Sequence, residues 1–528
     1  MGWFLLSLIP FLFYGILKTK KILHILQQNW YNDGNRYINW IKNNVKKVFY
    51  SFDALFVIFV LGLILPYKYL LILFIAFYVV SFVLLHKKSK LEQVKKPLVV
   101  TARIKRLIMT SLVFYAIAIT VMCLTFDEKY VWLYYLGLGL TMYLQYIYLY
   151  LVNIVNKPIE KQVFYHFRRQ AVKKLKSMSN MSVVGITGSY GKTSSKNILS
   201  DILNIKFNAF PTPKNFNTTY GMINTINNYL DKFNDIFIAE MGAFKVGEIQ
   251  EICDLVRPKY GILTTIGTAH LESFGNRENI QKGKFELIES LPSDGVGVLN
   301  GDDPYQLNYQ LKNNCKILWI GIDNKDVDFY AENIKLSNKG MEFDVKIKGD
   351  KTKYHFATRL LGRANIYNIL SGIALGYYLG ISMEDLYRGV KKVNSIEHRL
   401  ELKKMGNINI IDDAYNSNPV GSKMALDVLN LMPGKKIIVT PGMIELGAEQ
   451  YNLNFEFGTY IADICDEVIL IGREQTKPIF DGLESKKYNK KHIHILQDVR
   501  KAFPLMRSLG DDETYVLLEN DLPDIFNE

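Results

Sequence analysis

The stretch Gly185-Ile-Thr-Gly-Ser-Tyr-Gly-Lys-Thr-Ser-Ser195 decides the fold of the larger part of this chain. Before its glycine-rich turn, the apolar, β-branched run Met181–Thr187 predicts a strand, and after it Lys196–Leu203 predicts a helix. This order forms an anion-binding arrangement, because backbone N–H groups and the helix N-terminus face one point. We therefore predict a phosphate-binding loop, in which Lys192 contacts nucleotide phosphates and Thr193 holds Mg²⁺.

The spacing of the loop differs from the common GxxxxGK[ST] pattern. Ile186 occupies the position of the first glycine, and the chain instead has Thr187-Gly-Ser-Tyr-Gly-Lys-Thr193. A glycine turn that binds no ligand is the alternative. The Lys-Thr pair at the correct place favours the phosphate-binding interpretation.

The composition divides the chain of 528 residues into two parts. Its hydrophobic content of 49% and aromatic content of 13% are concentrated before about residue 155. The net charge of +13 lies largely in loops between apolar segments, which favours a membrane over a nucleic-acid partner. No cysteines are paired at metal spacing, so neither a zinc site nor a disulfide framework is predicted.

Five apolar segments predict transmembrane helices, which need about 20 residues each. These segments are residues 2–17, 49–67, 69–85, 107–125 and 131–152. A cleaved signal peptide is the alternative for the first segment, but it lacks a basic region before it and a small-residue cleavage site after it.

Lysine and arginine predict the orientation of the membrane part. They are frequent in residues 18–47, in residues 87–106 and after residue 155, whereas the other two loops are nearly neutral. Five spans with the N-terminus outside place every basic segment in the cytoplasm, together with the remaining residues and their ATP supply. No intramembrane acid–base pair is expected from the sequence, which argues against a transporter.

After the loop, alternating helices and strands predict two α/β domains with parallel sheets. In the second domain we predict helices at 420–431 and 452–465 and strands at 436–440, 467–471 and 514–518. The predicted boundaries give a membrane region at 1–155, a basic juxtamembrane linker at 156–178, a central ATP-binding domain at 179–396 and a Rossmann-like C-terminal domain at 397–528.

The loop variant and the residues after it resemble the Mur ligases, which build the peptide stem of peptidoglycan with ATP. The resemblance covers about 270 residues and rests on nine stretches in the same order as in the family. These stretches are Thr212–Asn217, Ala239–Ala243, Thr265–Gly275, Gly283–Glu286, Leu299–Asp303, Gly362–Asn368, His398–Glu401, Ile411–Pro419 and Gly442–Gly447.

The resemblance implies a ligase that activates a carboxylate as an acyl phosphate, which an amine then attacks. It is strongest to family members that add D-alanyl-D-alanine to UDP-N-acetylmuramoyl-tripeptide in cell-wall synthesis. It implies ATP and Mg²⁺, with two ions an option, as cofactors. The partners implied are a soluble or lipid-linked peptide acceptor and an amino acid or dipeptide; the oligomeric state stays open.

The resemblance also implies roles for individual residues. Those implied for ATP binding are Thr187, Gly188, Ser189, Tyr190, Gly191, Lys192, Thr193, Ser194, Asn365, Asn368, Arg399 and Asp412. Those implied for metal binding are Thr193, Glu240, His270 and Lys284, the last as a carbamate formed with CO₂. Those implied for catalysis are Lys192, Lys284, His270 and Glu240. Those implied near the acceptor are Asn215, Asn217 and Thr218. Ordinary structural roles are the alternative for each.

Four departures from the family pattern leave the substrates open. The membrane segment stands in place of the uridine-binding domain. Ala364 and Asn454 stand where histidine is common, and Glu519-Asn-Asp521 stands where a Lys-Gly-Ser-Arg type sequence is usual. Two alternatives follow: a ligase for a lipid-linked or capsular poly-γ-glutamate-type acceptor, and a non-catalytic membrane scaffold that binds ATP.

Overall fold

The computed structural model describes residues 1–49, 51–91, 97–415, 417–444 and 446–521. Asn416 and Glu445, which belong to two of the matching stretches, lie outside these residues. The chain divides into two compact units, Met1–Tyr165 and His166–Leu522.

The first unit is helical. Its α-helices are α1 Gly2–Gln28, α2 Arg36–Asn43, α3 Val45–Val48, α4 Tyr67–Leu91, α5 Ala102–Leu124, α6 Val131–Tyr143 and α7 Gln145–Lys176, the last of which continues into the second unit. Its 3₁₀ helices are Trp30–Asn35, Asp53–Leu63 and Glu128–Tyr130.

The structure gives fewer candidate membrane spans than the five helices that the sequence predicts. Within the described residues, three helices (α1, α4 and α5) are long and apolar enough to cross a membrane, or four if one bent pair is a single span. The second predicted span forms the 3₁₀ helix Asp53–Leu63, which at about 2.0 Å per residue is shorter than a bilayer core of about 30 Å. The fifth breaks at Leu144, where the chain bends by 77°. Most of the expected linker, to Lys176, is α7.

A buried ion pair in the first unit also contradicts the sequence prediction, which found no acid–base pair between the apolar segments. Lys18 Nζ lies 2.7 Å from Asp53 Oδ2 and donates a second hydrogen bond of 2.6 Å to the carbonyl oxygen of Met142. Tyr14 Oη donates to Asp53 Oδ1 at 2.5 Å. Lys18 therefore joins α1 to the 3₁₀ helix and to the end of α6, and it does not lie in a basic loop.

Apolar side chains of the first unit face outward as well as inward. Its core is aromatic, with Phe74 and Tyr135 stacked at 3.8 Å between ring centroids. In α5, however, only 11% of the most apolar 18-residue window is buried. An apolar surface of this length needs lipid or another protein to cover it.

The second unit contains two sheets. Among the described residues, the first sheet has nine strands in the order β2-β3-β1-β4-β5-β6-β7-β8-β9, parallel as far as β7 and antiparallel from there. The strands are β1 Ser182–Thr187, β2 Ala209–Pro211, β3 Ile236–Glu240, β4 Tyr260–Leu263, β5 Val296–Asn300, β6 Lys316–Gly321, β7 Phe329–Ser337, β8 Gly340–Ile347 and β9 Lys353–Thr358.

Eight helices, in the part of the chain that is described, accompany this sheet. They are α8 Lys192–Leu203, α9 Thr219–Asn228, α10 Glu248–Val256, α11 Leu271–Phe274, α12 Arg277–Glu289, α13 Pro304–Leu307, α14 Ala364–Tyr378 and α15 Met383–Lys392. The central strands are buried on both faces, as a parallel sheet covered by helices requires, and α8 and α14 pack together over its core.

The second sheet has the order β10-β11-β15-β12-β13-β14, and only the pair β10–β11 is antiparallel in the described chain. Its strands are β10 Glu401–Met405, β11 Ile408–Asp413, β12 Lys436–Thr440, β13 Glu467–Ile471, β14 Ile493–Leu496 and β15 Tyr515–Glu519. Its α-helices are α16 Pro419–Asn430, α17 Gln450–Ile464, α18 Lys477–Ser485 and α19 Ala502–Leu509, and its 3₁₀ helices are Gly447–Glu449, Lys490–His492 and Val499–Lys501.

The two α/β architectures agree with the sequence prediction. Two predicted strands, Lys436–Thr440 and Glu467–Ile471, have the predicted limits. The antiparallel strands β7 to β10 were not predicted.

Candidate active site

The predicted phosphate loop joins β1 to α8 and depends on two glycines. Gly188 has φ +150°, and a Cβ atom there would lie 1.9 Å from Thr264 Oγ1. Gly191 has φ +81° and caps the N-terminus of α8. Any larger residue at position 188 would collide with the segment that follows β4.

Hydrogen bonds fix the loop against that same segment. The Ser189 amide donates to the Thr265 carbonyl at 2.7 Å, and Ser189 Oγ accepts from the Gly267 amide at 3.0 Å. Tyr190 Oη lies 3.0 Å from Thr268 Oγ1, and burial raises the pKa of this tyrosine. The loop is thus rigid before any ligand contacts it.

The side chain of Lys192 forms hydrogen bonds within the phosphate loop itself. Its Nζ donates to the carbonyl oxygens of Gly188 at 2.7 Å and of Ser189 at 3.1 Å. Burial lowers the pKa of Lys192 to about 8, with Glu240 opposing the shift and Arg399 adding to it. The ammonium group is still mostly charged at neutral pH, so it can balance a phosphate.

Glu240 ends β3 beside the loop and has several partners. Thr193 Oγ1 donates to its Oε1 at 3.0 Å, and Asn217 Nδ2 donates to the same oxygen at 3.3 Å. Lys196 Nζ lies 3.0 Å from Oε2 and donates to the Lys214 carbonyl at 2.7 Å. The side chains of Lys196 and Glu240 are each 2% exposed, so this ion pair is dry.

Sequence reasoning missed Lys196, although a signal for it was present. Lys196 follows Thr193 by three positions on α8, a spacing that places two side chains on one helix face. Glu240, on the neighbouring strand, meets both side chains.

Lys284 lies in α12 and is buried without a hydrogen-bond partner for its Nζ among the described residues. Burial lowers its pKa well below the usual range, and Lys192 lowers it further, while Glu248 and Glu286 oppose the shift. A neutral amine in this place is nucleophilic. The aromatic ring of Phe274 lies 5.4 Å from Nζ.

The predicted metal ligands are brought together only in part. Thr193 and Glu240 are in contact, whereas His270, with φ +61°, precedes α11 and places its ring 4.4 Å from that of Phe244. In the described part of the chain, no three His, Cys, Asp or Glu side chains form a group that could hold a metal ion. Thr193 and Glu240 supply oxygen atoms of the kind that Mg²⁺ prefers.

A cleft of about 110 Å³ lies between the phosphate loop and the second sheet. Predicted residues that line it are Tyr190, Gly191, Ser194, Asn365, Asn368 and Arg399. Asn368 Oδ1 accepts from Ser195 Oγ at 2.7 Å, and Asn368 Nδ2 donates to Asn365 Oδ1 at 3.0 Å. Arg399 stacks on the ring of Tyr415 at 4.4 Å. Amides and a guanidinium group suit a nucleotide base and phosphates.

Asp413, and not the predicted Asp412, lines this cleft. Asp412 Oδ2 accepts from His398 Nδ1 at 2.8 Å and from Lys403 Nζ at 2.9 Å, so its charge is already paired. Successive residues of a strand point to opposite faces of a sheet. Asp412 therefore lies on the other face of β11 from the cleft-lining Asp413, and its role near the ribose stays a prediction.

The three residues predicted near the acceptor have different surroundings. Asn217 contacts Glu240, as described above. Thr218 caps α9, since its Oγ1 accepts from the Gly221 amide at 3.2 Å, and the Asn215 carbonyl accepts from the Asn217 amide at 2.8 Å. This geometry gives Thr218 a structural task in addition to the predicted one.

Asn454, one of the departures from the family pattern, has a structural role. Its side chain is 1% exposed, accepts from the Met443 amide at 2.8 Å and donates to the Met443 carbonyl at 3.0 Å. It therefore fixes the turn that follows β12. Ala364, another departure, lines the cleft beside the phosphate loop.

Residues 186–376 match the Mur ligase middle domain, and residues 398–518 match the Mur ligase, glutamate ligase domain. Over 295 residues the chain is 32% identical to UDP-N-acetylmuramoyl-tripeptide–D-alanyl-D-alanine ligase of Bacillus subtilis and 31% identical to that of Escherichia coli. Each match covers 55% of this chain, and 63% and 65% of the two relatives. The chain thus spans just under two thirds of the length of these curated relatives.

Solved structures also resemble the chain. MurF ligase of Thermotoga maritima in complex with ADP matches with a TM-score of 0.60 and 25% identity, over 68% of this chain and 80% of that one. MurF of Acinetobacter baumannii matches with a TM-score of 0.61 and 23% identity, over 69% and 78% of the two chains.

Proposed function

Because residues 186–376 and 398–518 of the chain belong to the Mur ligase family, we propose that it is an ATP-dependent ligase that forms an amide bond in peptidoglycan synthesis. One observation carries this proposal: the loop with Lys192, the Thr193–Glu240 contact and the cleft beside Asn368 and Arg399 lie together in one unit.

The reaction has two steps. An oxygen of the acceptor carboxylate attacks the γ-phosphorus of ATP, and the bond from that phosphorus to the bridging oxygen breaks, which releases ADP. The amine nitrogen then attacks the acyl carbon, phosphate leaves with the former carboxylate oxygen, and the amine loses a proton. Lys192 and Arg399 supply positive charge for the phosphates. Mg²⁺, held by Thr193 and Glu240, would neutralise phosphate charge.

Lys284 suits the carbamate that the family resemblance implies. Its Nζ is buried, has no hydrogen-bond partner in the described chain and is driven toward the neutral form that reacts with CO₂. The carbamate would replace an unsatisfied amine with an anion near the Lys192 ammonium group, whose charge now disfavours protonation of Lys284. This anion would support a second Mg²⁺. His270 remains one of the proposed metal ligands.

D-alanyl-D-alanine is the proposed amine substrate and UDP-N-acetylmuramoyl-tripeptide the proposed acceptor, because the curated relatives at about 30% identity are named for this reaction. Asn215, Asn217 and Thr218 are proposed to lie beside the acceptor. Asn217 supports this proposal, since it contacts Glu240 at the end of β3.

The first unit is proposed to be embedded in the cell membrane, with the ligase domains in the cytoplasm and the N-terminus outside. The long apolar helices and the exposed apolar face of α5 support this proposal, and Lys20 and Lys21 in the C-terminal half of α1 favour this orientation. A lipid-linked acceptor is the second candidate, which the apolar unit favours because it brings the ligase to lipid substrates.

The test uses the full chain in detergent, with ATP, Mg²⁺, UDP-N-acetylmuramoyl-tripeptide and D-alanyl-D-alanine. We expect phosphate release that needs both substrates and a product extended by the dipeptide, as seen by mass spectrometry. Lys192→Ala is the matched control. Turnover only after membrane lipid extract replaces the soluble acceptor would favour the lipid-linked substrate. ATP binding without turnover on any acceptor would favour the scaffold.

A further inference from the structure

Two carboxyl side chains lie next to each other at the edge of the nucleotide cleft. Glu519 is the last residue of β15, and Asp413 is its partner in register on the parallel neighbour β11. Residues in register on adjacent strands project to the same face of a sheet. Asp413 lines the cleft, while Glu519 behind it is 1% exposed.

One carboxyl oxygen of Glu519 accepts a hydrogen bond, and the other is free to carry a proton. Ser417 Oγ donates to Glu519 Oε1 at 2.6 Å, whereas Oε2 is buried and receives no hydrogen bond from an N–H or O–H group of the described residues. Glu519 and Asp413 are paired in register on adjacent parallel strands, so their carboxyl groups project side by side from the same face of the sheet. Two carboxylates cannot donate, so a bond between them requires that one carries a proton.

The charges around the pair favour one proton and one negative charge. Arg399 attracts both carboxyl groups, and the Leu400 amide donates to Asp413 Oδ1 at 3.2 Å. Asp412, on the same strand, repels Asp413 but is itself paired with His398 and Lys403. Burial raises the pKa of both acids, and for Glu519 the charge of Asp413 raises it further.

We propose that Glu519 is a positioning residue that stays protonated, donates its O–H to Asp413 and thereby holds the Asp413 carboxylate toward the bound nucleotide. This inference rests on the proposed function, in that it takes the cleft to be the ATP site. The family resemblance gives no reason for it, since a lysine-type sequence is expected at this position.

The pair gives nucleotide binding a particular pH dependence. At neutral pH the single negative charge lies on Asp413, opposite Arg399, and can accept hydrogen bonds from sugar hydroxyls. When the pH rises until Glu519 loses its proton, Asp413 loses its donor and a second buried negative charge appears. Nucleotide affinity should therefore fall on the alkaline side.

The test measures ADP affinity of the full chain in detergent by calorimetry, from about pH 6.5 to about pH 9.5. Glu519→Gln keeps a neutral donor at every pH, and Glu519→Leu removes the donor at similar size. Because Lys192, with a pKa of about 8, loses its charge over the same range, the variants are compared with wild type at each pH. Glu519→Gln should bind within about twofold of wild type at neutral pH and about tenfold more tightly than wild type at the alkaline end, and Glu519→Leu should bind about tenfold more weakly than Glu519→Gln at every pH.

Two results would overturn the proposal: a Glu519→Gln variant that follows the wild-type pH profile, or one that binds as weakly as Glu519→Leu. A purely structural role would lower the unfolding temperature of both variants without this split in pH profile. Failure of folded wild-type protein to bind ADP, as expected for the Lys192→Ala control, would instead overturn the proposed nucleotide site, and with it this inference.

Discussion

Among the residues that the structure describes, each of the two units buries a lysine–carboxylate pair, and the two pairs have different surroundings. In the first unit, Lys18 and Asp53 lie 2.7 Å apart with side chains 2% and 6% exposed. In the second, Lys196 and Glu240 lie 3.0 Å apart and are equally buried. Burying such a pair removes two ions from water, so each pair needs a structural or functional reason.

The additional partners of each acid supply that reason. Asp53 is bound by Tyr14, and Lys18 also bonds to the carbonyl of Met142, so this pair connects apolar segments to one another. Glu240 is bound instead by Thr193 and Asn217, which belong to the proposed active site. The same two kinds of side chain thus stabilise the architecture in one unit and orient a proposed metal ligand in the other.

The largest expected effect is a loss of stability when the Lys18–Asp53 pair is broken. Lys18→Met leaves Asp53 buried without its cation and should lower the free energy of unfolding by about 3–5 kcal/mol. The double variant Lys18→Met/Asp53→Leu should recover most of this loss. Denaturation in detergent, followed by circular dichroism, measures both. A double variant no more stable than the single one would contradict the interpretation of a purely structural pair.

Breaking the Lys196–Glu240 pair should slow the turnover of ATP. Glu240→Gln keeps the size and the hydrogen bond to Thr193 but removes the charge, and should slow phosphate release by about 10²–10³-fold, or about 2.7–4 kcal/mol. Asp53→Asn is the matched control and should leave the rate per folded molecule unchanged. If Glu240→Gln and Asp53→Asn slowed phosphate release equally, the proposal that only the Lys196–Glu240 pair serves the active site would be contradicted.

Lys284 differs from both lysines, since it is buried and has no carboxylate hydrogen-bond partner among the described residues. Lys284→Ala should reduce turnover by about 10–100-fold, the cost typical of losing a group that supports a metal site. Wild-type protein kept free of CO₂ should lose activity and regain it with bicarbonate, and ¹³C-bicarbonate should give a carbamate signal by NMR that the variant lacks. Turnover that does not depend on CO₂ would contradict the proposal that Lys284 carries a carbamate.

The smallest effect, when it is measured per pH unit, concerns the neighbouring acids Asp413 and Glu519. Since the pKa of Glu519 is raised in the folded state, its contribution to stability is present below the pKa of about 4.3 of an unfolded glutamate and is lost as the pH rises through the folded pKa. Glu519→Gln cannot ionise, so its unfolding temperature relative to wild type should rise with pH, by an amount that corresponds to about 1.4 kcal/mol for each pH unit between the unfolded and the folded pKa of Glu519. A difference that is constant with pH would contradict the raised pKa.

The sequence predicted those elements whose residues have one clear periodicity. The strands of the second sheet at Lys436–Thr440 and Glu467–Ile471 are continuous apolar runs, and glycine fixes the loop after Thr187. The strands β7 and β9, in the antiparallel part of the first sheet, mix exposed and buried residues, so local pattern could not identify them. Apolar content likewise could not show that the segment around Leu144 bends.

Single side chains were harder to predict than the elements that carry them. Lys18 and Asp53 are 35 positions apart and meet only in the folded unit. Motif matching selected Asp412 whereas Asp413 lines the cleft, because a motif does not decide which face of β11 each residue takes. The metal set was inferred from resemblance, and of its members the structure brings Thr193 and Glu240 into contact.

The two hydrogen bonds from Lys192 to the carbonyls of Gly188 and Ser189 bear on which ions the loop admits. An anion that takes this ammonium group must replace both carbonyl oxygens at once. Chloride offers a single weak acceptor and gains little by the exchange, whereas a polyphosphate chain offers several oxygens with more negative charge. The loop backbone thus competes with any anion for the ammonium group, and we expect a polyphosphate to compete better than chloride.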